Sequence, residues 1–108
     1  MAGLSDEGAI AAVEVTRDDA GALIIRLTGE IDVSTIDALS LDMAAAFEDA
    51  PDGVVFEMSD VTFFDSSGVT LLLQANDTVG ELRLRAPSAV VQRVIEVSGL
   101  EDVLETER

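Results

Sequence analysis

The apolar residues of this chain switch between a two-residue and a helical period three times over, and that alternation constrains the fold more than any other feature. Leu23, Ile25 and Leu27 recur every second residue, as on a strand with one buried face. Ile36, Leu39, Met43 and Phe47 then recur at helical spacing, with Ser34 placed to cap and Asp37 in the first turn. This helix is expected to end near Ala50, ahead of Pro51-Asp52-Gly53. Val54-Val55-Phe56-Glu57-Met58 is β-branched and apolar and reads as a buried strand closed by Ser59-Asp60. The stretch from Leu23 to Met58 is therefore a β-α-β unit.

Before that unit, Ala12 to Thr16 and the turn residues Arg17-Asp18-Asp19-Ala20-Gly21 complete an antiparallel hairpin. After it, Val69, Leu72 and Leu73 supply the apolar face of a second helix that follows Asp65-Ser66-Ser67-Gly68 and ends within residues 76–80. Leu82-Arg83-Leu84-Arg85 alternates like a strand covered on one face. Pro87-Ser88 opens a third helix carrying Val90, Val91, Val94, Ile95 and Val97, stopped by Ser98-Gly99. Val90, Val94 and Val97 are expected to form its core stripe. Leu100 to Leu104 reads as one more short turn or helix before a frayed acidic end. The order β-β-α-β-α-β-α predicts an α/β fold, a mixed four-stranded sheet with helices mainly on one face. Residues 1–10 read as a flexible tail, leaving 11–108 as the domain.

A chain of 108 residues has room for one hydrophobic core. At 48% hydrophobic it can offset its ordering entropy by burial, so a disordered chain is excluded. Twenty-two acidic residues against six arginines and no lysine give a net charge of −16, which repels phosphate backbones and anionic lipid. Neither nucleic acid nor a membrane is an expected partner. The charge reads first as a solubility device, and electrostatically it favours a basic protein partner. The absence of Cys and His removes disulfides, thiol chemistry, nearly all zinc sites and the imidazole base together. No run approaches the ~20 apolar residues of a membrane helix, and the first residues lack a basic segment followed by an apolar one, so a cytoplasmic location is expected.

Two serines beside an aspartate raise the question of catalysis. An activated serine needs a base within hydrogen-bond reach, and the chain offers neither His nor Lys. A carboxylate of ordinary pKa is a weak substitute, and the Gly-x-Ser-x-Gly elbow is missing. Calcium-loop and Walker patterns are missing as well, so no metal and no cofactor is expected, and no enzyme. Locally, Asp65 or Ser66 reads as a helix N-cap worth about 1 kcal/mol.

Four stretches carry more than local geometry: Leu27-Thr28-Gly29-Glu30-Ile31-Asp32, the run from Val54 to Val61, Phe64-Asp65-Ser66-Ser67-Gly68-Val69, and the run from Val90 to Leu100. In this order, from about Val13 to Leu104, they resemble the STAS domain family, and within it the bacterial anti-sigma factor antagonists. The resemblance implies a single STAS domain that binds an anti-sigma factor with serine kinase activity and so frees a sigma factor for transcription. It implies that the phosphoacceptor is the serine before the glycine, Ser67, with Ser66 as the alternative, and that a separate serine phosphatase reverses the mark. A STAS scaffold in a larger signalling assembly, independent of any sigma factor, is the rival reading. Asp65, Ser66 and Gly68 around the phosphoacceptor, together with Asp32 and Asp60 at strand ends expected to share its sheet edge, are the candidate partner-binding residues. A phosphate adds about −1.5 to −2 charge. Placed at a helix start it is expected to leave the fold intact while crowding an acidic patch against any partner shaped for a hydroxyl.

Overall fold

The computed structural model describes residues 11–48 and 53–107. The expected tail, residues 1–10, and the expected helix end near Ala50 lie outside them. Strands β1 (Ala11–Arg17), β2 (Leu23–Ile31), β3 (Gly53–Phe64), β4 (Glu81–Arg85) and β5 (Glu105–Thr106) lie side by side in chain order. β1 and β2 are antiparallel, and every later pair is parallel. Helices α1 (Ile36–Phe47), α2 (Ser66–Thr78) and α3 (Ala89–Ser98) make the crossovers. Because each parallel strand is added on the same side of its predecessor, right-handed crossovers deliver all three helices to one face.

That face holds the core. Leu23, Ile25 and Leu27 of β2, Val54, Phe56 and Met58 of β3 and Leu82 and Leu84 of β4 are buried with Leu39, Met43, Leu72, Val91 and Ile95 from the helices. Phe47 stacks on Phe56 with ring centroids 6.5 Å apart, fastening the end of α1 to the central strand. The hairpin turn closes as its sequence suggests: the Asp18 carboxylate accepts from the amides of Ala20 and Ala22, and Gly21 takes the left-handed conformation at φ 89°. Gly99, left-handed at φ 72°, ends α3, with its amide and that of Leu100 returning to Glu96 and Ile95 carbonyls.

Four expectations need correction. The sheet has five strands, because the acidic end does not fray. Leu104 is 1% exposed, Glu105–Thr106 pairs with β4, and the Glu107 amide donates to the Leu84 carbonyl. β3 runs past Ser59-Asp60 to Phe64. Met58 and Val61 both face inward three residues apart while Ser59 and Asp60 are exposed, so one extra residue is absorbed as a bulge, where the register against β2 shifts. A second register shift follows, where Gly29-Glu30 of β2 faces Val61 to Phe63 of β3, and Gly29 has a φ of 88° that suits a residue without Cβ. The N-cap of α1 is Thr35, not Ser34. On α3 the inward residues are Val91 and Ile95, while Val97 is 78% exposed. Val90 and Val94 are partly buried and pack against the core, so of the expected stripe only Val97 is misplaced.

The opposite face of the sheet is open, and its residues pair by charge. Glu14, Arg26, Glu57 and Arg85 are successive partners across β1 to β4, and Glu107 receives the Arg85 guanidinium. This row alternates in sign, which suits cross-strand neighbours exposed to water. Contact with Glu107 raises the Arg85 pKa, and the hydrogen bond from Arg85 lowers that of Glu107. Arg83 is likewise raised by its hydrogen bond to Glu81.

The phase of α3 is directly testable. Val91→Ala is expected to cost about 2 kcal/mol in urea unfolding, from lost burial and a residual cavity. Val97→Ala is expected to stay within about 0.5 kcal/mol of wild type.

Candidate functional site

β2 and β3 end together, since Ile31 and Phe64 are register partners. Asp32 and Asp65, each the next residue, therefore leave the same sheet edge, one toward α1 and the other toward α2. Asp60 does not join them. It lies inside β3 opposite Thr28, and its carboxylate pairs with Arg26 on the open face. The bulge turned it away, and nothing in the local sequence marks that turn.

Asp65 is the N-cap of α2. Its backbone is extended at φ −132°, ψ −163°, and its side chain accepts from the Ser67 amide at 2.8 Å. Its carbonyl accepts from the amides of Gly68 and Val69 at 3.0 and 3.2 Å. The amides of Ser67, Gly68 and Val69 are thus already occupied. The Ser66 amide, which has no such partner, and the helix dipole remain to favour an anion there.

Gly68 is required by space. A Cβ at this position would lie 2.7 Å from Cδ1 and 2.8 Å from Cζ of Phe64, whose ring is buried. The glycine lets the last core residue of β3 press against the first turn of α2. That contact, with the Asp65 cap, fixes where the two serines sit: Ser66 is exposed and Ser67 half-buried. Ser67 lines the mouth of a groove between α1 and α2, about 270 Å³ in volume, with Asp37, Ser40, Thr70 and Gln74 among its walls. Ser40, Leu71 and Gln74 continue into a second recess of about 190 Å³ reaching Phe47 and Thr78.

The loop before α1 is built by a residue that sequence reasoning missed. Thr35 is 9% exposed; its hydroxyl donates to the Glu30 carbonyl at 2.9 Å and accepts from the Asp32 amide at 3.0 Å. Its signal was available, since a threonine before a helix is a cap candidate, but the neighbouring Ser34 competed for the role. The Ser34 hydroxyl and amide instead donate to Asp32 Oδ1 at 2.6 and 2.8 Å. The hydrogen bonds from the Ser34 hydroxyl, then from its amide, hold the Asp32 pKa below the usual carboxylate range.

The site is one-signed. Arg17 sits beside the hairpin turn, and Arg26, Arg83 and Arg85 belong to the open face, leaving Arg93 as the only cation on a described helix. Among the described residues no three potential ligands form a metal-binding group, and no helix is long and apolar enough to cross a membrane.

Residues 12–108 match the STAS domain family, so the chain belongs to that family. It is 32% identical over 85 residues to the anti-sigma F factor antagonist of Paenibacillus polymyxa, covering 74% of this chain and 73% of that protein. The crystal structure of an anti-sigma factor antagonist from Mycobacterium paratuberculosis superposes with a TM-score of 0.81 at 26% identity, over 89% of this chain and 84% of the other. The anti-sigma factor antagonist SpoIIAA in its unphosphorylated form gives 0.73 at 25% identity, over 90% and 89%.

Gly68→Ala is expected to lose about 1–3 kcal/mol of stability by overpacking against Phe64, read from urea midpoints. The pH dependence of Asp32 has a definite sign. Its folded pKa is depressed, so the stability it lends is complete above the ordinary Asp value near 4 and disappears as acid titrates it. Asp32→Asn is expected to unfold at lower urea than wild type at pH 7, and the two are expected to converge as the pH falls through the depressed folded-state pKa of Asp32.

Proposed function

We propose that this chain is an anti-sigma factor antagonist controlled by phosphorylation of Ser67. Unmodified, it binds an anti-sigma factor that carries serine kinase activity and so releases a sigma factor for transcription. Phosphorylation frees the anti-sigma factor, and a serine phosphatase restores the antagonist. Ser67, Ser66, Asp65 and Asp32 form the contact surface around the hydroxyl. Gly68 contributes through the helix position it permits. Asp60, paired with Arg26 on the other face, is left out of that surface.

The observation that carries this reading is a hydroxyl on the first turn of a rigidly braced helix, open to the α1–α2 groove, in a chain without an imidazole or amine base. A hydroxyl so placed is poorly equipped to attack a substrate and well placed to be attacked or recognised. Antagonist relatives at 32% sequence identity support the same partner class. Ser67 is preferred to Ser66 because it lies at the groove mouth next to Gly68. The added charge meets Asp65 and Asp37 with no cation among the groove-lining residues, so a partner matched to a neutral hydroxyl faces repulsion and a larger desolvation cost.

The test is incubation with the cognate anti-sigma factor and Mg-ATP, followed by mass spectrometry and a binding assay. Wild type is expected to gain one phosphate at Ser67 and to lose at least about 100-fold in affinity, the scale of a close like-charge contact. Ser67→Ala is expected to bind and never be released, while Ser66→Ala still gains its phosphate at Ser67 and is released by it. A phosphate on neither serine contradicts the proposal, as does a Ser67→Ala protein that cannot bind. Assembly into a larger complex that is the same for wild type and Ser67→Ala would favour the scaffold function instead.

A further inference from the structure

The proposed switch leaves open where the phosphoryl group goes once it is attached, and the local geometry answers differently from a generic helix start. The usual anion position at a helix N-terminus uses the first-turn amides. Here Asp65 holds those of Ser67, Gly68 and Val69 through its carboxylate and carbonyl, which leaves the Ser66 amide alone open. A phosphoryl group could take the Ser67 amide only by displacing a carboxylate that is already bonded at 2.8 Å. The alternative lies beside it. The open groove that Ser67 lines offers about 270 Å³, room for more than a single water. Its polar lining residues are Asp37, Ser40, Thr70 and Gln74, of which the last three are neutral and able to donate.

We propose, building on phosphorylation of Ser67, that the groove between α1 and α2 is the seat of the phosphoryl group, which accepts hydrogen bonds from Ser40, Thr70 and Gln74 and leaves the Asp65 cap in place. Asp37 from α1 is the charged residue that lines this seat, Asp65 bonds the amide of Ser67 beside it, and no arginine among the described residues lines it. The seat is therefore made of neutral donors within a negative rim. It holds the phosphate by geometry rather than by charge, and the occupied groove bridges the two helices. The modified protein then differs from the unmodified one over the length of the groove, from Ser67 toward Gln74, and not only at one side chain. A partner element that uses the groove is excluded by volume as well as by repulsion.

The experiment installs phosphoserine at position 67 by genetic encoding, so no kinase is involved, and follows the phosphate by ³¹P NMR against pH. Asp37 close to the phosphate holds its second ionisation about half a pH unit higher than it is without that carboxylate, whatever the donors of the groove contribute. Asp37→Asn is expected to remove that displacement. Asp42→Asn, an equal charge change at an exposed α1 position outside the groove, is expected to leave it. In ¹⁵N spectra the Gln74 side-chain amide is expected to shift on phosphorylation while the Ser67 amide keeps the position its bond to Asp65 gives it. An ionisation midpoint equal in wild type and Asp37→Asn overturns the proposal, because the phosphate is then out in solvent. A large downfield shift of the Ser67 amide with Gln74 unmoved also overturns it, because the phosphate has then replaced the cap. A failure of the kinase to modify Ser67 would remove the functional reading without touching this measurement. A kinase that modifies Ser67, with either negative NMR result, would remove only the groove seat.

Discussion

The contact between the Phe64 ring and Gly68 sets the position of everything at the sheet edge. A buried aromatic at the last position of the central strand presses on the helix that follows, and only a residue without Cβ lets the backbone come so close. Asp65, between the two, has no freedom left: its extended backbone turns the chain and its side chain closes the first turn. Ser66 and Ser67 are thereby delivered to the surface by core packing, not by loop flexibility. A site fixed in this way can change its charge without a change of backbone, which is the property a covalent surface switch needs.

The two faces of the sheet divide the remaining work. On the helical face, burial of aliphatic side chains supplies the cohesion that a domain of this size requires. On the open face, arginines alternate with glutamates across the strands, and this face takes three of the six arginines in a chain of charge −16. Glu57 Oε1, buried without a hydrogen bond, relies on Arg26 at 3.5 Å. The consequence is felt on the other side: with arginine committed to the sheet, the rim around Ser67 is left with Asp32, Asp37 and Asp65. Cross-strand pairing therefore helps decide the electrostatics of the functional surface.

Strand and helix order were legible in the sequence because each element has a clear period: Leu23-Ile25-Leu27, Leu82-Leu84 and Ile36-Leu39-Met43 read correctly from spacing alone. The misreadings share a cause, which is that the deciding interaction is not local. The bulge in β3 and the outward turn of Asp60 depend on the register with β2, and β5 is two residues held by β4 and by Arg85. The third helix contains valines on several sides, so only packing shows that Val91 and Ile95 face inward. At the site, the sequence marked Asp65, Ser66, Ser67 and Gly68 as a unit. It did not show that Gly68 answers to Phe64, that Asp65 consumes the amides of Ser67, Gly68 and Val69, or that Ser40 and Gln74 share a groove with Ser67, because each of these joins residues on different elements.

The central claim is that the Ser67 platform is rigid enough to carry a change of charge without a change of structure. Amide hydrogen exchange of the unphosphorylated and Ser67-phosphorylated proteins, compared residue by residue, tests it most directly. The account predicts equal protection through β3, α2 and the core strands, with differences confined to the groove rim around Ser67. Loss of protection along α2 on phosphorylation would show that the switch melts the helix, and would contradict it.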